Sequence, residues 1–242
     1  MTRPLQGEAV ISIGNQSLYR SGVGMLLYLI KHSRPDLSNA VRELTKVLDG
    51  ATIAQWKAMI RVIKFVFDTE KHSLRVKPIQ CDKPELKGIS DSEFAGDRDT
   101  RISVYGYVIY YSGAPISWKS KAGKSVTLSS TEAEYFASSE ATKEMIFIQN
   151  LIISMGITLS KPSSLLVDNT GAIYLANNYT TGQRTKHIDI RTHFVREKIV
   201  DGSIKVKFVK SEDNDADIMT KNVSEELFHN DAKRLKVKVS EE

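Results

Sequence analysis

The feature that most constrains the fold of this chain is a change in its hydrophobic periodicity near Lys71. Between residues 18 and 67, apolar side chains recur at the three- to four-residue spacing of amphipathic helices. After Lys71 the apolar residues fall in short runs, and several of these runs alternate with polar residues as strands do. The chain is therefore predicted to join a small helical bundle to a domain built on a β-sheet.

Helix-breaking residues divide the N-terminal stretch into three predicted helices. We expect the first over residues 18–31, a second that ends at Gly50, and a third that begins after Thr52, a residue type favoured as an N-cap. Residues 74–79 alternate like an edge strand, and residues 81–85 read as a linker. We therefore predict a helical segment over residues 1–80 and a second domain over residues 86–242.

The second domain is predicted to be an α/β fold with a mixed sheet flanked by helices. Its predicted strands cover residues 86–90, 104–111, 115–120, 164–167 and 204–209. Its predicted helices cover residues 129–155, 171–178 and 190–200, with a last helix from residue 216 onward. Helices interspersed among five strands in this order are typical of layered sheet-and-helix domains.

The excess positive charge lies entirely in the N-terminal part. Residues 1–85 contain 13 Lys and Arg against 8 Asp and Glu, a net charge of +5, whereas residues 86–242 contain 21 of each. A basic part beside a neutral part with clustered acids is typical of nucleic-acid enzymes, although many other proteins carry such a charge. The interrupted apolar runs predict no transmembrane helix, and the N-terminus has no apolar signal segment. A lone Cys81 excludes an internal disulfide and favours a reducing intracellular compartment, cytoplasmic or nuclear.

Four acidic residues occupy informative positions in this pattern. Asp91 follows the first predicted strand of the sheet and Asp168 ends a later one, while Glu134 lies in the first turns of the long helix and Asp217 begins the last helix. Each has a structural alternative as a helix or turn cap. For Glu134 the alternative is specific, because Thr131 with Glu134 and Ser129 with Glu132 both have capping-box spacing.

Taken together, the four acids predict a divalent metal site. Strand ends and early helix turns can meet at one edge of a sheet. Two carboxylates about 4 Å apart repel by about 4 kcal/mol at an effective dielectric constant near 20, so such a cluster binds cations or takes up protons. Carboxylate oxygens favour Mg²⁺ or Mn²⁺. Zinc-ligand spacing, a Walker loop, a dinucleotide-binding glycine motif and a serine-hydrolase elbow are all absent from the sequence.

The ordered motifs of the chain resemble those of the ribonuclease H domain of copia-type long-terminal-repeat retrotransposon polyproteins. The motifs that carry the resemblance are residues 90–97, 106–108, 116–121, 129–135, 167–169, 186–194 and 216–221. Upstream, residues 19–24 and 33–36 resemble the thumb or connection segment that joins a reverse-transcriptase polymerase to that domain. The resemblance covers nearly the whole chain after residue 18.

The resemblance implies a ribonuclease H-like fold with a mixed five-stranded sheet, and an endonuclease that cleaves the RNA strand of RNA/DNA hybrids with two Mg²⁺ or Mn²⁺ ions. It implies that Asp91, Glu134, Asp168 and Asp217 are the catalytic metal ligands. Its partners would be the hybrid and the polymerase part of a reverse transcriptase. Two departures stand out: residues 209–214 lack the His that many relatives carry there, and no Tyr-x-Asp-Asp polymerase motif is present.

Further residues are candidates for substrate contact, each with a structural alternative. Ser92 and Asn169 adjoin metal ligands but equally well cap turns. The basic candidates for phosphate contact are Lys119, Lys121, Lys124, Lys186 and Arg191. Their structural alternative is an ordinary solvated surface. His187 and His193 are candidates for an auxiliary catalytic role.

The basic N-terminal segment is expected to grip duplex phosphates. Its candidate contacts are Arg34, Arg42, Arg61 and Lys64. The alternative function for the whole chain is a non-catalytic nucleic-acid-binding or polymerase-docking module that retains the fold. Intact acidic residues favour the enzyme.

Overall fold

The computed structural model of the protein describes residues 9–97, 99–178 and 186–239, and it describes no side chain of residues 186–192. The chain forms two compact units. The first contains the described residues up to Arg75 together with those from Asn222 onward, and the second contains Val76–Lys221. Within the described part of the chain, no helix is long and apolar enough to cross a membrane.

The described helices and strands are named in chain order. The helices are α1 (Ile13–His32), α2 (Ser38–Thr45), α3 (Ile53–Asp68), α4 (Ser130–Ser154), α5 (Thr170–Asn177), α6 (Lys186–Val200), α7 (Asp217–Thr220) and α8 (Glu225–Arg234). The strands are β1 (His72–Leu74), β2 (Glu85–Glu93), β3 (Val104–Tyr111), β4 (Ala114–Ala122), β5 (Ser160–Val167), β6 (Ile204–Phe208) and β7 (Val237–Val239).

In the first unit, α1, α2 and α3 pack around one apolar core, as their periodicity predicts. Tyr19 and Leu44 are fully buried in this core. Thr52 and Gln55 form a capping box that begins α3, so the predicted N-cap is confirmed. Helix α2 ends earlier than predicted, and Gly50 instead provides the left-handed conformation, with φ of +81°, in the turn that leads to α3.

The C-terminal segment groups with the helical unit, which differs from the predicted assignment of residues 86–242 to one domain. Strand β7 pairs antiparallel with β1, and His72 lies opposite Val239. Phe228 of α8 packs edge-on against Phe65 of α3, with ring centroids 5.7 Å apart. A strand pairing between residues so far apart in sequence leaves no local signal, so periodicity could not reveal it.

Two of the four predicted phosphate contacts in this unit are buried in ion pairs. Arg34 bonds to Asp36 at 2.8 Å and Arg42 to Glu43 at 2.7 Å, and all four side chains are nearly inaccessible to solvent. These arginines therefore cannot grip a duplex. The basic groups that remain exposed on α3 are Lys57, Arg61 and Lys64.

The second unit contains a five-stranded mixed sheet in the order β4-β3-β2-β5-β6. Strands β2, β3 and β4 are antiparallel neighbours, and β5 and β6 run parallel to β2. This confirms the predicted ribonuclease H-like fold class. The carboxyl ends of the parallel strands β2 and β5 lie side by side, and this edge of an α/β sheet commonly binds ligands.

Helices cover this sheet and complete its core. Helix α4 packs on β2 and β3, where Tyr135 and Met145 are fully buried with Ile109 and Leu165. Helix α7 packs against β3 at Gly106, where an added Cβ would lie 2.6 Å from Met219 Cβ. Glycine at position 106 therefore lets α7 pack directly against β3, and a larger residue there would push the helix away.

Two element boundaries differ from the prediction in ways that affect the candidate site. Asp91 was expected after its strand, yet β2 continues to Glu93 because the pairing with β3 extends from Asp91 opposite Gly106 to Glu93 opposite Val104. The predicted last helix is interrupted. Asp217 does begin a helix, but α7 has only four residues before the chain passes to α8.

Candidate active site

Three of the four predicted metal ligands come together at the carboxyl ends of β2 and β5. Asp91 lies in β2, Asp168 follows β5, and Glu134 lies in the first turns of α4. Each offers a carboxylate oxygen, and these oxygens all lie within 4.8 Å of one another. Asp91 is fully buried and Glu134 is 6% exposed. Carboxylates that are this close together and this buried require a bound cation or a bound proton to offset their negative charge.

The cap of α4 decides which glutamate enters this cluster. Ser129 is the N-cap, because its hydroxyl accepts a hydrogen bond from the Glu132 backbone N–H at 3.1 Å. The Glu132 carboxylate accepts from the Leu128 backbone N–H at 2.6 Å. Glu132 therefore stabilises the start of the helix. Glu134, two residues further along, points towards β2.

Glu134 is held by Ser92 through one carboxylate oxygen only. Its Oε1 accepts hydrogen bonds from the Ser92 backbone N–H at 3.0 Å and from the Ser92 hydroxyl at 2.8 Å. Its Oε2 is buried, and no hydrogen-bond donor among the described residues reaches it. An unsatisfied buried oxygen beside two further carboxylates fits a metal cation.

The electrostatics of Glu134 point the same way. Burial raises the pKa of Glu134 to about 8, and repulsion from Asp91 and Asp168 adds to this effect, while the hydrogen bonds from Ser92 oppose it. Without a cation, Glu134 therefore retains a proton near neutral pH. A bound divalent ion would favour the ionised form, so metal binding is expected to release that proton.

Asp217 is placed differently from the other three acids. The cluster found among the described residues does not include it. Instead, Lys221 bridges the two aspartates: its Nζ lies 2.9 Å from Asp91 Oδ1 and 3.0 Å from Asp217 Oδ1. Burial and the Asp91 carboxylate raise the pKa of Asp217 to about 7, and Lys221 opposes this shift. Although burial disfavours its charge, the two aspartates raise the pKa of Lys221 above its ordinary value.

Sequence reasoning missed three polar neighbours of the acids. Lys221 is one, and Thr220 is another, since its hydroxyl donates a hydrogen bond to Asp91 Oδ2. The third is Ser211, whose hydroxyl donates to Asp168 Oδ2 at 2.9 Å. Ser211 belongs to the loop in which many relatives were expected to carry a His. That departure in the loop was the one signal that could have pointed to Ser211.

The predicted substrate contacts next to the ligands have structural bonds of their own. The Ser92 hydroxyl donates to Glu134 as described above. Asn169 is the N-cap of α5, where its side-chain oxygen accepts from the Ala172 backbone N–H at 2.9 Å. Both residues adjoin the cluster, and their contact with substrate stays a prediction.

The lysines predicted on β4 lie on the opposite side of the sheet from Asp91. Lys119 pairs with Tyr107 and Lys121 with Tyr105, whereas Asp91 is in register with Gly106 and, through it, with Ser120. Alternate residues of a strand face opposite sides. Lys119 and Lys124 are exposed, and Lys121 and Trp118 are half-buried. Trp118 lies on β4, the edge strand of the described five-stranded sheet.

The remaining candidates fall on α6. The side chains of Lys186, His187 and Arg191 lie outside those that the structure describes. His193 is exposed and lines a shallow surface cavity with Arg196 and Glu197. Its predicted auxiliary role stays a prediction.

The chain is similar in sequence to retrotransposon proteins. It is 38% identical over 219 residues to the Retrovirus-related Pol polyprotein from transposon RE2 of Arabidopsis thaliana, covering 90% of this chain and 15% of that protein. It is 38% identical over 213 residues to the Retrovirus-related Pol polyprotein from transposon TNT 1-94 of Nicotiana tabacum, covering 87% and 16%. The chain thus spans about 15% of the length of these curated relatives.

No protein-family model matches the chain. The solved structure of LC11-RNase H1, isolated from compost, is 14% identical with a TM-score of 0.44, and the match covers 56% of this chain and 92% of that one.

Proposed function

We propose, on the premise that the chain is a homologue of one segment of the Pol polyproteins of copia-type retrotransposons, that it hydrolyses the RNA strand of RNA/DNA hybrids with two divalent metal ions. The observation that carries the proposal is the cluster of Asp91, Glu134 and Asp168, whose oxygens lie within 4.8 Å of one another. The unpartnered Oε2 of Glu134 adds to it.

The residues of the cluster suit Mg²⁺ or Mn²⁺, because they offer hard carboxylate oxygens and neither thiolate nor imidazole. When bound, the two ions would activate the attacking water and stabilise the departing 3′ oxygen. Glu134 and Asp168 would hold one ion, Asp217 would hold the other, and Asp91 would contact both. The products would carry 5′ phosphate and 3′ hydroxyl ends.

Neighbouring side chains keep these ligands in position. Ser92 orients Glu134 through two hydrogen bonds, Ser211 orients Asp168, and Thr220 orients Asp91. Preorganised carboxylates lose little conformational freedom when cation and substrate bind. Glu134 must give up its proton before it can act as a full ligand, since burial raises its pKa to about 8.

Substrate selection would depend on duplex shape and on the ribose 2′-hydroxyl, because the deep groove of an A-like duplex hides the bases. Ser92 and Asn169 adjoin the cluster and are the proposed 2′-hydroxyl contacts. Lys119 and Lys121 would contact phosphates on the other side of the sheet, and the exposed Lys124, just after β4, would contact phosphates as well. Lys186 and Arg191 are proposed for the same role.

One observation favours the second candidate, a non-catalytic nucleic-acid-binding or polymerase-docking module. Lys221 already supplies a positive charge to Asp91 and Asp217, so this pair is satisfied without a metal. A chain that had lost its chemistry could keep its fold in this way. The unsatisfied oxygen of Glu134 favours the enzyme.

An activity assay on the whole chain distinguishes the two candidates. A labelled RNA/DNA hybrid, double-stranded RNA and double-stranded DNA are each incubated with the protein in Mg²⁺, in Mn²⁺ and in EDTA. We expect cleavage of the hybrid RNA alone, in either metal, and none by Glu134→Gln. Cleavage that survives EDTA would exclude the metal mechanism, and equal cutting of the three duplexes would exclude the specificity. Binding of the hybrid without cleavage would establish the second candidate.

A further inference from the structure

Lys221 occupies the space between two carboxylates that the proposed mechanism assigns to a metal ion. It is the first residue after α7, one helical turn beyond Asp217. Its Nζ lies 2.9 Å from Asp91 Oδ1 and 3.0 Å from Asp217 Oδ1, and the side chain is 33% exposed. The ammonium group thus links the two aspartates by ion pairs.

This arrangement places the four acids in two sets that share Asp91. Asp91, Glu134 and Asp168 offer three oxygens within 4.8 Å of one another, a ready position for one divalent ion. Asp217 shares its nearest cation, Lys221, with Asp91. A divalent ion on Asp91 and Asp217 would bind their oxygens at about 2.1 Å. The ammonium group opposes this binding, because it holds the Oδ1 atom of each carboxylate and repels a second cation.

We propose that Lys221 is an internal cation that competes with the second metal ion for Asp91 and Asp217. The inference rests on the proposed function, because it assigns the second ion to these two residues. The side chain can leave without unfolding the site, since its flexible stem already reaches solvent. Lys221 therefore offsets one of the two negative charges of the aspartates in the metal-free protein and sets the concentration at which the second ion enters.

The test is divalent-ion binding by the whole chain without nucleic acid. Isothermal titration calorimetry with Mg²⁺, and electron paramagnetic resonance with Mn²⁺, count the ions and measure each affinity in the wild type, in Lys221→Met and in Lys221→Arg. In Lys221→Met we expect the second ion to bind roughly tenfold or more tightly, the order of effect of one adjacent charge. The first ion should bind only somewhat more tightly, because Asp91 alone of its three ligands contacts Lys221. Lys221→Arg should retain the weak second affinity.

Lys198→Met is the matched control. Lys198 also bonds two carboxylates, at 2.7 Å to Glu197 and 3.1 Å to Asp201, on α6. Its replacement should leave both ion affinities unchanged. Circular dichroism checks the fold of each variant, and Lys221→Gln serves as a second neutral replacement if Lys221→Met does not fold.

The outcomes separate this inference from the proposed function. An unchanged second affinity in the neutral Lys221 variants would overturn the competition, even if the wild type cleaves hybrids. A second ion that binds more tightly in those variants supports the competition, even if neither protein cleaves. A folded wild type that takes up no second ion at any concentration, with a Lys221→Met variant that takes up none either, would also overturn it.

Discussion

Replacing Glu134 with Gln should remove a pH-dependent instability from the metal-free protein. Glutamine has nearly the same shape as glutamate, and its side-chain oxygen can accept the same two hydrogen bonds from Ser92. Its amide can donate towards the Asp91 and Asp168 oxygens, which lie within 4.8 Å of the Glu134 carboxylate. The substitution therefore removes a buried charge without removing the contacts that hold the side chain.

The magnitude follows from the change in the Glu134 pKa on folding. Burial, with Asp91 and Asp168, raises the pKa of Glu134 from 4.5 to about 8. The folded protein thus binds more protons than the unfolded chain between these two values, and its stability falls as the pH rises through that range. The difference corresponds to at most about 5 kcal/mol of unfolding free energy, fully lost above about pH 8.

Urea unfolding in EDTA between pH 4.5 and pH 9 measures this effect. We expect Glu134→Gln to lose much less stability than the wild type over this range, and to be more stable than the wild type at pH 8.5. Mg²⁺ should stabilise the wild type more than the variant, because the ion replaces the proton only in the wild type. Glu132→Gln serves as the control, and its pH profile should follow that of the wild type. Parallel profiles for the wild type and Glu134→Gln would refute the reasoning.

Three further predictions test the helix cap, the packing of α7 and the basic surface of α3. Glu132→Gln should cost about 1 kcal/mol of unfolding free energy, in line with capping interactions, and leave hybrid cleavage nearly unchanged; a loss of cleavage with intact fold would show that Glu132 is the ligand. Gly106→Ala should cost about 1–3 kcal/mol and weaken binding of the second ion, because its Cβ would lie 2.6 Å from Met219 and 2.7 Å from Thr220; unchanged calorimetric ion binding would contradict this. Replacing three exposed residues of α3, Lys57, Arg61 and Lys64, with serine should flatten the log-log salt slope of hybrid binding by up to about three units. Cleavage of bound hybrid should stay the same. An unchanged slope would show that these residues form an ordinary solvated surface.

Local sequence pattern determined most of the elements. The helical period of α1 and α3, the cap at Thr52 and strand β3 over Val104–Tyr111 are each specified by residues close together in the chain. Such elements follow from spacing and capping chemistry, which act over a few residues. The approximate positions of the four acids were found in the same way, because strand ends and helix starts carry their own signals.

Tertiary structure alone decided what depends on residues far apart in the chain. The pairing of β1 with β7 transfers the C-terminal segment to the helical unit. The contact between Lys221 and Asp91 joins residues 130 positions apart. Ser92 selects Glu134 across 42 positions, while Glu132 is occupied by the helix cap. Before the fold was known, both glutamates satisfied the local capping pattern. The choice between them required the position of β2 against α4, because a hydrogen bond or ion pair depends on distances in space that spacing along the chain does not encode.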